Sequence, residues 1–497
     1  MKRILCLLLT VLLLTGMAQA EAMTMMGYDE TNGRDWATSQ FFTRMAERTG
    51  VSFELRQYSD RETYVKALAN LKSDMPDVLF RATLTPAQER DLLAEGILID
   101  LAPLLADNAP NLNALLDAHP EWRAEITQPD GRIAALPMLT MEERQVGLWI
   151  NGKWLAKLGL QTPTTPEELK AALTAIRDGD PNGNGKADEV GLDVTGVWAM
   201  KWLLPLFGVV ADDYNLTSIE GQVAFAPTLP EYRAFIEYLR ALYAEGLLRK
   251  DAFTGLNAMQ ALEASSSSSS KQNANQTVTS GCLLTLAPYA TVGIEANGDY
   301  EVVVPSSGVW RDLLGSVARG AFAITSACED PAAALRWVDY LYTQEGGILS
   351  AVGVEGEDYV TGEAGWTWKV DTYTTIDVLN AQSLMATSGA IPTPGLTPDG
   401  FLSTVDSEID RYNRAQSNRL LPITRLPVAR CYLSAAQQAE VDALQSRLGQ
   451  AVDLAIGRFA TGEDELTDES WNAFVEGVKA DGERLAAIFR EALDAGR

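Results

Sequence analysis

The sequence predicts an α/β fold, and three observations carry that prediction. The chain opens strand, helix, strand: Met23 to Gly27 is a short apolar run, Gln40 to Arg48 sets Phe41 and Met45 against Arg44 or Arg48 on the opposite face, and Val51 to Leu55 is apolar again. Further short apolar runs alternate with helical stretches, the pattern of βαβ units. With 497 residues, 46% hydrophobic and 22% charged, the chain can bury a large interior, spread over roughly two to four domain-sized units.

The remaining elements follow in order. Lys66 to Leu71 is helical, and Pro76 to Phe80 is a buried strand ending at Arg81, where α/β folds place ligand contacts. Gly96 to Leu101 connects, Asp130-Gly131 turns, and Ile133 to Leu136 leads into Pro137. Leu148 to Asn151 is a strand, followed by a helix from Lys153 to Leu158. Thr164-Thr165-Pro166 then caps a second helix, with Glu167 and Glu168 complementing its dipole. Trp198 to Leu206 and Pro230 to Leu247 are helical, and Leu283 to Ala287 is a strand ending at Pro288-Tyr289. The serine run Ser265 to Ser270 marks a flexible loop, taken as 263–277. Ala321 to Thr325 is a strand, Pro331 opens a helix through Tyr342, and Ala435 to Ala495 is mainly helical with a break at Thr461 to Asp468.

Met1 to Ala20 reads as a secretory signal peptide: Lys2 and Arg3, a leucine-rich stretch to Leu14, then Ala18-Gln19-Ala20. The apolar run is too short to span a membrane. Leu14-Thr15-Gly16 has the look of the approach to a lipoprotein cleavage site, but Met17 stands where a lipid-accepting cysteine would be, so a lipid anchor is not expected. The expected location is therefore periplasmic, extracellular or cell-surface associated. A net charge of −27, more negative once Lys2 and Arg3 are gone, makes nucleic acid and anionic lipid poor partners. Cys282, Cys328 and Cys431 are too widely spaced for a metal site and read as buried thiols.

From Asp180 to Glu189 hard oxygen donors alternate around a glycine hinge. Asp180, Asn182 and Asn184 occupy the first, third and fifth positions, Gly185 allows the sharp turn, Lys186 offers a carbonyl at the seventh, and Asp188 and Glu189 close the cage. The twelfth position is Gly191, not the bidentate Glu of a sensor loop, so the expectation is structural calcium. The alternative is a solvated turn rich in Asp, Asn and Gly.

Asn151-Gly152-Lys153-Trp154-Leu155 with Leu158-Gly159-Leu160, then Pro163-Thr164-Thr165 and the Asp180 to Glu189 loop, resembles the family 1 extracellular solute-binding proteins of ABC transporters. The likeness is greatest to the large oligosaccharide-binding branch that includes alginate oligosaccharide-binding proteins. Met75-Pro76-Asp77-Val78, Gly96 to Leu101, Ala109-Pro110-Asn111-Leu112 and Ala135-Leu136-Pro137 resemble that family's first lobe; Thr461-Gly462 through Trp471 resembles its C-terminal signature. The resemblance implies a two-lobed, type II-like periplasmic-binding-protein fold with three hinge crossings and a helical C-terminal extension. The expected division is 21–142 and 320–373 for lobe 1, and 143–319 and 374–497 for lobe 2. The crossings then fall near Leu139 to Gly147, Ser316 to Gly320 and Asp371 to Ile376. The resemblance also carries the calcium-ligand roles onto Asp180, Asn182, Asn184, Lys186, Asp188 and Glu189.

A sugar cleft needs flat aromatic rings for C–H faces and polar groups for hydroxyl rims. Tyr28, Asp29 and Glu30 after the first strand, Arg81, and Tyr289 are placed for this, with Trp198, Trp202, Trp366, Trp368 and Phe401 as further candidates. Core packing is the competing reading for each aromatic, and ion pairing for Arg81. Trp36, Trp154 and Trp337 are left to the core or lobe surface. The single histidine, His119, lies in a loop away from any nucleophile motif, and no G-x-S-x-G, HExxH or phosphate loop occurs, so no catalytic residues are expected. The expectation is a monomeric oligosaccharide receptor that delivers its cargo to an ABC permease; the alternatives are a secreted glycoside hydrolase or lyase, or a receptor for a peptide or other polar solute.

Overall fold

Met23–Tyr28 (β1) and Phe53–Tyr58 (β2) pair in parallel around the Gln40–Thr49 helix, which Ser39 caps by accepting from Phe41 N and Gly50 ends in a left-handed conformation. In the computed structural model the described residues are 23–29, 34–141, 146–194, 196–249, 251–253, 277–312, 316–363, 365–369, 385, 391–398, 400–401 and 407–495. The expected leader, the serine run, Glu30 and the crossing at Asp371 to Ile376 lie outside them.

The βαβ opening is one edge of a six-stranded sheet. Val78–Phe80 (β3), Leu136–Thr140 (β4), Val317–Ile324 (β12) and Gly395–Thr397 (β15) complete it in the order β15-β4-β12-β3-β1-β2. Side chains alternate faces along each strand: Met25, Val78 and Phe80 join one core with Phe41, Leu112 and Trp337, while Met26, Tyr28 and Leu79 join another with Tyr64 and Leu98. Gly27 permits this packing, since a Cβ there would stand 1.8 Å from the Phe80 carbonyl oxygen.

A second, four-stranded sheet is formed by Gly147–Asn151 (β5), Val190–Asp193 (β6), Ser280–Thr285 (β9) and Tyr300–Val302 (β10), in the order β10-β5-β9-β6. Its core takes in the Pro166–Gly179 and Pro230–Ala244 helices and the two long C-terminal helices Ala435–Thr461 and Asp468–Ala495. Leu216–Ile219 (β7) and Gln222–Phe225 (β8) form a hairpin against the last helix. Trp310–Arg311 (β11) pairs in parallel with Thr424–Arg425 (β16) as a separate two-stranded sheet. The fold class is thus the expected one, two α/β lobes.

Several expectations shift. The chain passes from the six-stranded to the four-stranded sheet between β4 and β5 and returns between β10 and β12, and the Ser407–Ser417 helix contacts both β10 and the Gly365–Trp368 strand. β12 begins at Val317 and β15 pairs with β4, so both strands belong to the six-stranded sheet. Pro137 lies inside β4 at the register shift of its pairing with β12, between Leu136 and Met138, where its missing N–H costs no ladder bond, and its carbonyl accepts from Tyr342 Oη. The helix expected over Trp198 to Leu206 is one α-turn, Val197–Met200, followed by a 3₁₀ stretch Lys201–Phe207 that accommodates Pro205. Cys282, Cys328 and Cys431 are free, and burial raises the latter two to about 11.

Candidate functional site

The ends at which the lobes face each other follow from the pairing. β4 ends and β5 begins at the first crossing, so the facing ends are the C-termini of β1, β3, β4 and β15 in one lobe and of β6, β9 and β10 in the other. Three expected residues, Tyr28, Asp29 and Arg81, come together there.

Asp29 Oδ2 accepts from Arg34 Nη1 and from Trp36 Nε1, each at 3.0 Å, and Asp29 Oδ1 lies 3.6 Å from Arg81 Nη2. Arg81 Nη1 donates to the Met385 carbonyl at 2.5 Å and to Thr393 Oγ1 at 2.7 Å. Arg81 and Thr83 both hold φ of 51°, a left-handed conformation rare for side-chain-bearing residues, pinned by hydrogen bonds from Ala82 N and Leu84 N to Ala321 O and Gly320 O. Asp29, Arg34 and Arg81 side chains are fully buried. They are the charged floor of this lobe's facing end rather than exposed contacts. Trp36, left to the core or surface by sequence, is one hydrogen bond from this floor.

On the opposite lobe, Trp198 is partly exposed and its Nε1 donates to Asp213 Oδ1 at 2.9 Å, which also accepts from Arg311 Nη2 at 2.8 Å. Protein packed around the base of Asp213 would raise its largely exposed carboxyl, but Arg311 and the Trp198 N–H hold it below its ordinary value. Neighbouring Asp212 is pushed by burial up to about 7. Trp202 is fully buried against Trp198 and Trp310, so it belongs to the core. Tyr289, half-buried, follows β9 with its N–H bonded to Asn297 Oδ1.

Tyr359–Gly362 (β13) and Gly365–Trp368 (β14) form a hairpin whose Trp366 and Trp368 pack with Phe401 and Val352 into a separate aromatic cluster. Trp366 stacks on Phe401 at 6.1 Å and donates to Gly400 O at 2.8 Å. Both tryptophans are buried, so of this trio only Phe401 keeps partial exposure. Sequence reasoning missed Arg34, Asp213 and Arg311; the Asp212-Asp213 pair at a turn was the available signal for one of them.

At the expected calcium loop, Asp180 adopts φ 44° and accepts from the backbone N–H groups of Gly183, Asn184 and Gly185. The side-chain amides of Asn182 and Asn184 both donate to Asp188 at 3.0–3.1 Å. Among the described residues no three acidic, His or Cys groups form a ready metal cage. The Glu189 carboxylate is nevertheless buried with neither oxygen hydrogen-bonded. An unpaired buried carboxylate is costly and a hard cation would satisfy it, so the loop's oxygen donors fit calcium.

Residues 37–348 match the family model described as bacterial extracellular solute-binding protein. The fructooligosaccharide ABC transporter substrate-binding protein FusA of Streptococcus pneumoniae is 32% identical over 224 residues, covering 42% of this chain and 41% of FusA. The chain thus aligns with under half the length of that curated relative. Among solved structures, an extracellular solute-binding protein from Bifidobacterium longum subsp. infantis superposes with a TM-score of 0.78 at 21% identity, covering 96% of this chain and 98% of that one. FusA in complex with kestose gives 0.74 at 21% identity over 95% and 99%. The alginate-binding protein AlgQ2 without calcium ion gives 0.66 at 18% identity over 95% and 98%. No helix among the described residues is long and apolar enough to cross a membrane.

Proposed function

The chain belongs to the bacterial extracellular solute-binding proteins, and from that premise we propose that it is the substrate-binding component of an ABC importer, gripping an oligosaccharide between its lobes and passing it unchanged to the permease. What supports this reading is a charged, strained strand end at Asp29 and Arg81 in one lobe and a partly exposed Trp198 just after β6 in the other. Trp198, Tyr289 and Phe401 would offer ring faces, while Tyr28, Asp29 and Arg81 shape the floor beneath. Glu30, expected beside them, lies outside the described residues. FusA's kestose makes a short neutral oligosaccharide the first ligand to try. The charged groups named at both facing ends are engaged with one another, which suits a neutral sugar better than a uronate.

Closure follows from a ligand that prefers the closed arrangement, which supplies the bias a hinge requires. We assign structural calcium to Asp180, Asn182, Asn184, the Lys186 carbonyl, Asp188 and Glu189, supported by the unpaired Glu189 carboxylate. The ion would supply charge neutralisation to the exit of the Pro166–Gly179 helix, away from the sugar. A monomer exported beyond the cytoplasmic membrane completes the reading.

A thermal-shift and calorimetric panel of kestose, mannose-containing N-glycans, alginate oligosaccharides and short peptides tests it. Binding of at least one saccharide, recovered intact, is expected. Shortened glycans after incubation, or stabilisation by peptides alone, would overturn it.

A further inference from the structure

We infer that Arg311 is a positioning residue for the sugar-facing wall of the second lobe: through Asp213 it fixes the plane in which the Trp198 ring is offered to a ligand. The inference rests on the cleft reading proposed above, and it extends that reading to a residue that never touches sugar.

Arg311 is well placed to act as an anchor. Its neighbour Trp310 is fully buried and donates from Nε1 to Val146 O at 2.7 Å, and β11 is paired to β16, so the backbone at Arg311 is held on both sides. The guanidinium lies 4.9 Å over the ring of buried Trp202. Its Nη2 then reaches Asp213 Oδ1, the same oxygen that accepts the Trp198 N–H. The Asp213 side chain is 62% exposed and that of Arg311 only 6%. A carboxylate so exposed would otherwise turn freely into water, so the direction it holds is set from the buried end.

Trp198 is therefore gripped twice, edge-on by Trp202 with ring centroids 6.0 Å apart and at its N–H by Asp213. With its only polar hydrogen already bonded, it presents a bare face. Such a face recognises the C–H side of a neutral sugar ring and has no donor to offer a charged group. Arg311 gains little stability from this post, because its Nε and Nη1 have no hydrogen-bond partner among the described residues. A buried charge that is incompletely paired yet geometrically constrained is what a specificity role looks like.

Pre-setting one large side chain should strengthen sugar binding by about three- to tenfold. The test uses the full chain with kestose as probe and the variants Arg311→Met, Arg311→Lys, Asp213→Ala, Trp198→Phe and the double variant Arg311→Met/Trp198→Phe. Without ligand, the Trp198 share of the emission, read as wild type minus Trp198→Phe, should shift to longer wavelength in Arg311→Met and return towards wild type in Arg311→Lys. With kestose, Arg311→Met should weaken binding about three- to tenfold in the wild-type background and leave it unchanged in the Trp198→Phe background. An unaltered Trp198 emission, or the same fold-loss in both backgrounds, overturns the inference. If Trp198→Phe by itself leaves kestose affinity untouched, the cleft reading fails and takes the inference with it. If the wild type does not bind kestose, the emission shift alone decides the role of Arg311. Should Arg311→Met not fold, Asp213→Ala breaks the same link at its exposed end and reads the same shift.

Discussion

Replacing Asp29 by alanine strips a carboxylate from a buried site that holds two guanidinium groups and an indole N–H. Asp29, Arg34 and Arg81 are wholly excluded from water, and the carboxylate meets Arg34 and Trp36 at 3.0 Å and Arg81 at 3.6 Å. Removing one partner of a buried ion pair costs about 3–5 kcal/mol, because the other charge stays buried without compensation. Here Arg81 keeps the Met385 carbonyl and Thr393 Oγ1, and Arg34 keeps a 3.5 Å contact to Met385 O, which places the loss near the lower bound, at about 3 kcal/mol. For a cooperative unit of 150–250 residues that is a fall of about 6–12 °C in Tm. Asp29→Asn keeps an acceptor for Trp36 and should cost roughly half as much. Differential scanning calorimetry without ligand reads the result, and because the lobes have separate cores the first-lobe transition should move while the second stays. A loss below about 1 kcal/mol in Asp29→Ala would show that the carbonyl and hydroxyl acceptors already satisfy both guanidiniums, and the reasoning would fail.

Three further outcomes are expected. EDTA should lower the Tm of the second lobe and calcium restore it, with Glu189→Gln blunting the response and kestose affinity for the calcium-loaded protein changed less than about twofold; equal losses of both would refute a purely structural ion. Asp212, raised by burial to about 7 when folded, holds its proton longer folded than unfolded, so stability should fall as pH rises from about 4 to 7. Asp212→Asn keeps the oxygen that accepts from Leu216 N at 2.7 Å and should flatten that slope, gaining roughly 2 kcal/mol at pH 8 by urea unfolding, about half of full linkage because the carboxyl is partly exposed. Gly27→Ala should cost about 3 kcal/mol or more and move the first-lobe transition, since the added methyl would meet the Phe80 carbonyl and the edge of Trp36, leaving no rotamer to relieve it.

Local signals carried most of the fold. Helices opened by Pro166 and Pro331, the cap at Thr165 and the apolar run of β1 were legible because each depends on residues close together in the chain. Pro137 misled because the register shift in β12 that accommodates it lies about 180 residues away in the chain. The small strands β10, β11 and β15 were invisible, being two or three residues long and stabilised by partners more than a hundred residues away. At the facing ends Asp29 and Arg81 were readable from their place after strands, whereas their burial depends on Met385 and Thr393, far along the chain. Trp202 shared a helical stripe with Trp198, and nothing local distinguished the buried ring from the exposed one. Arg311 belongs to a two-residue strand and acquires meaning only through Asp213.

The chain that follows β16 is stitched to the first lobe: Arg430 donates to Val317 O and Glu125, Tyr432 Oη to Glu89, and Arg90 to Leu433 O. One residue later Ser434 caps a helix of 27 residues that packs wholly on the second lobe. This makes Leu433-Ser434 a fulcrum with an arm about 40 Å long. A rocking of 10° there would sweep the far end at Thr461 through about 7 Å, so a small adjustment between lobes is magnified along the helix.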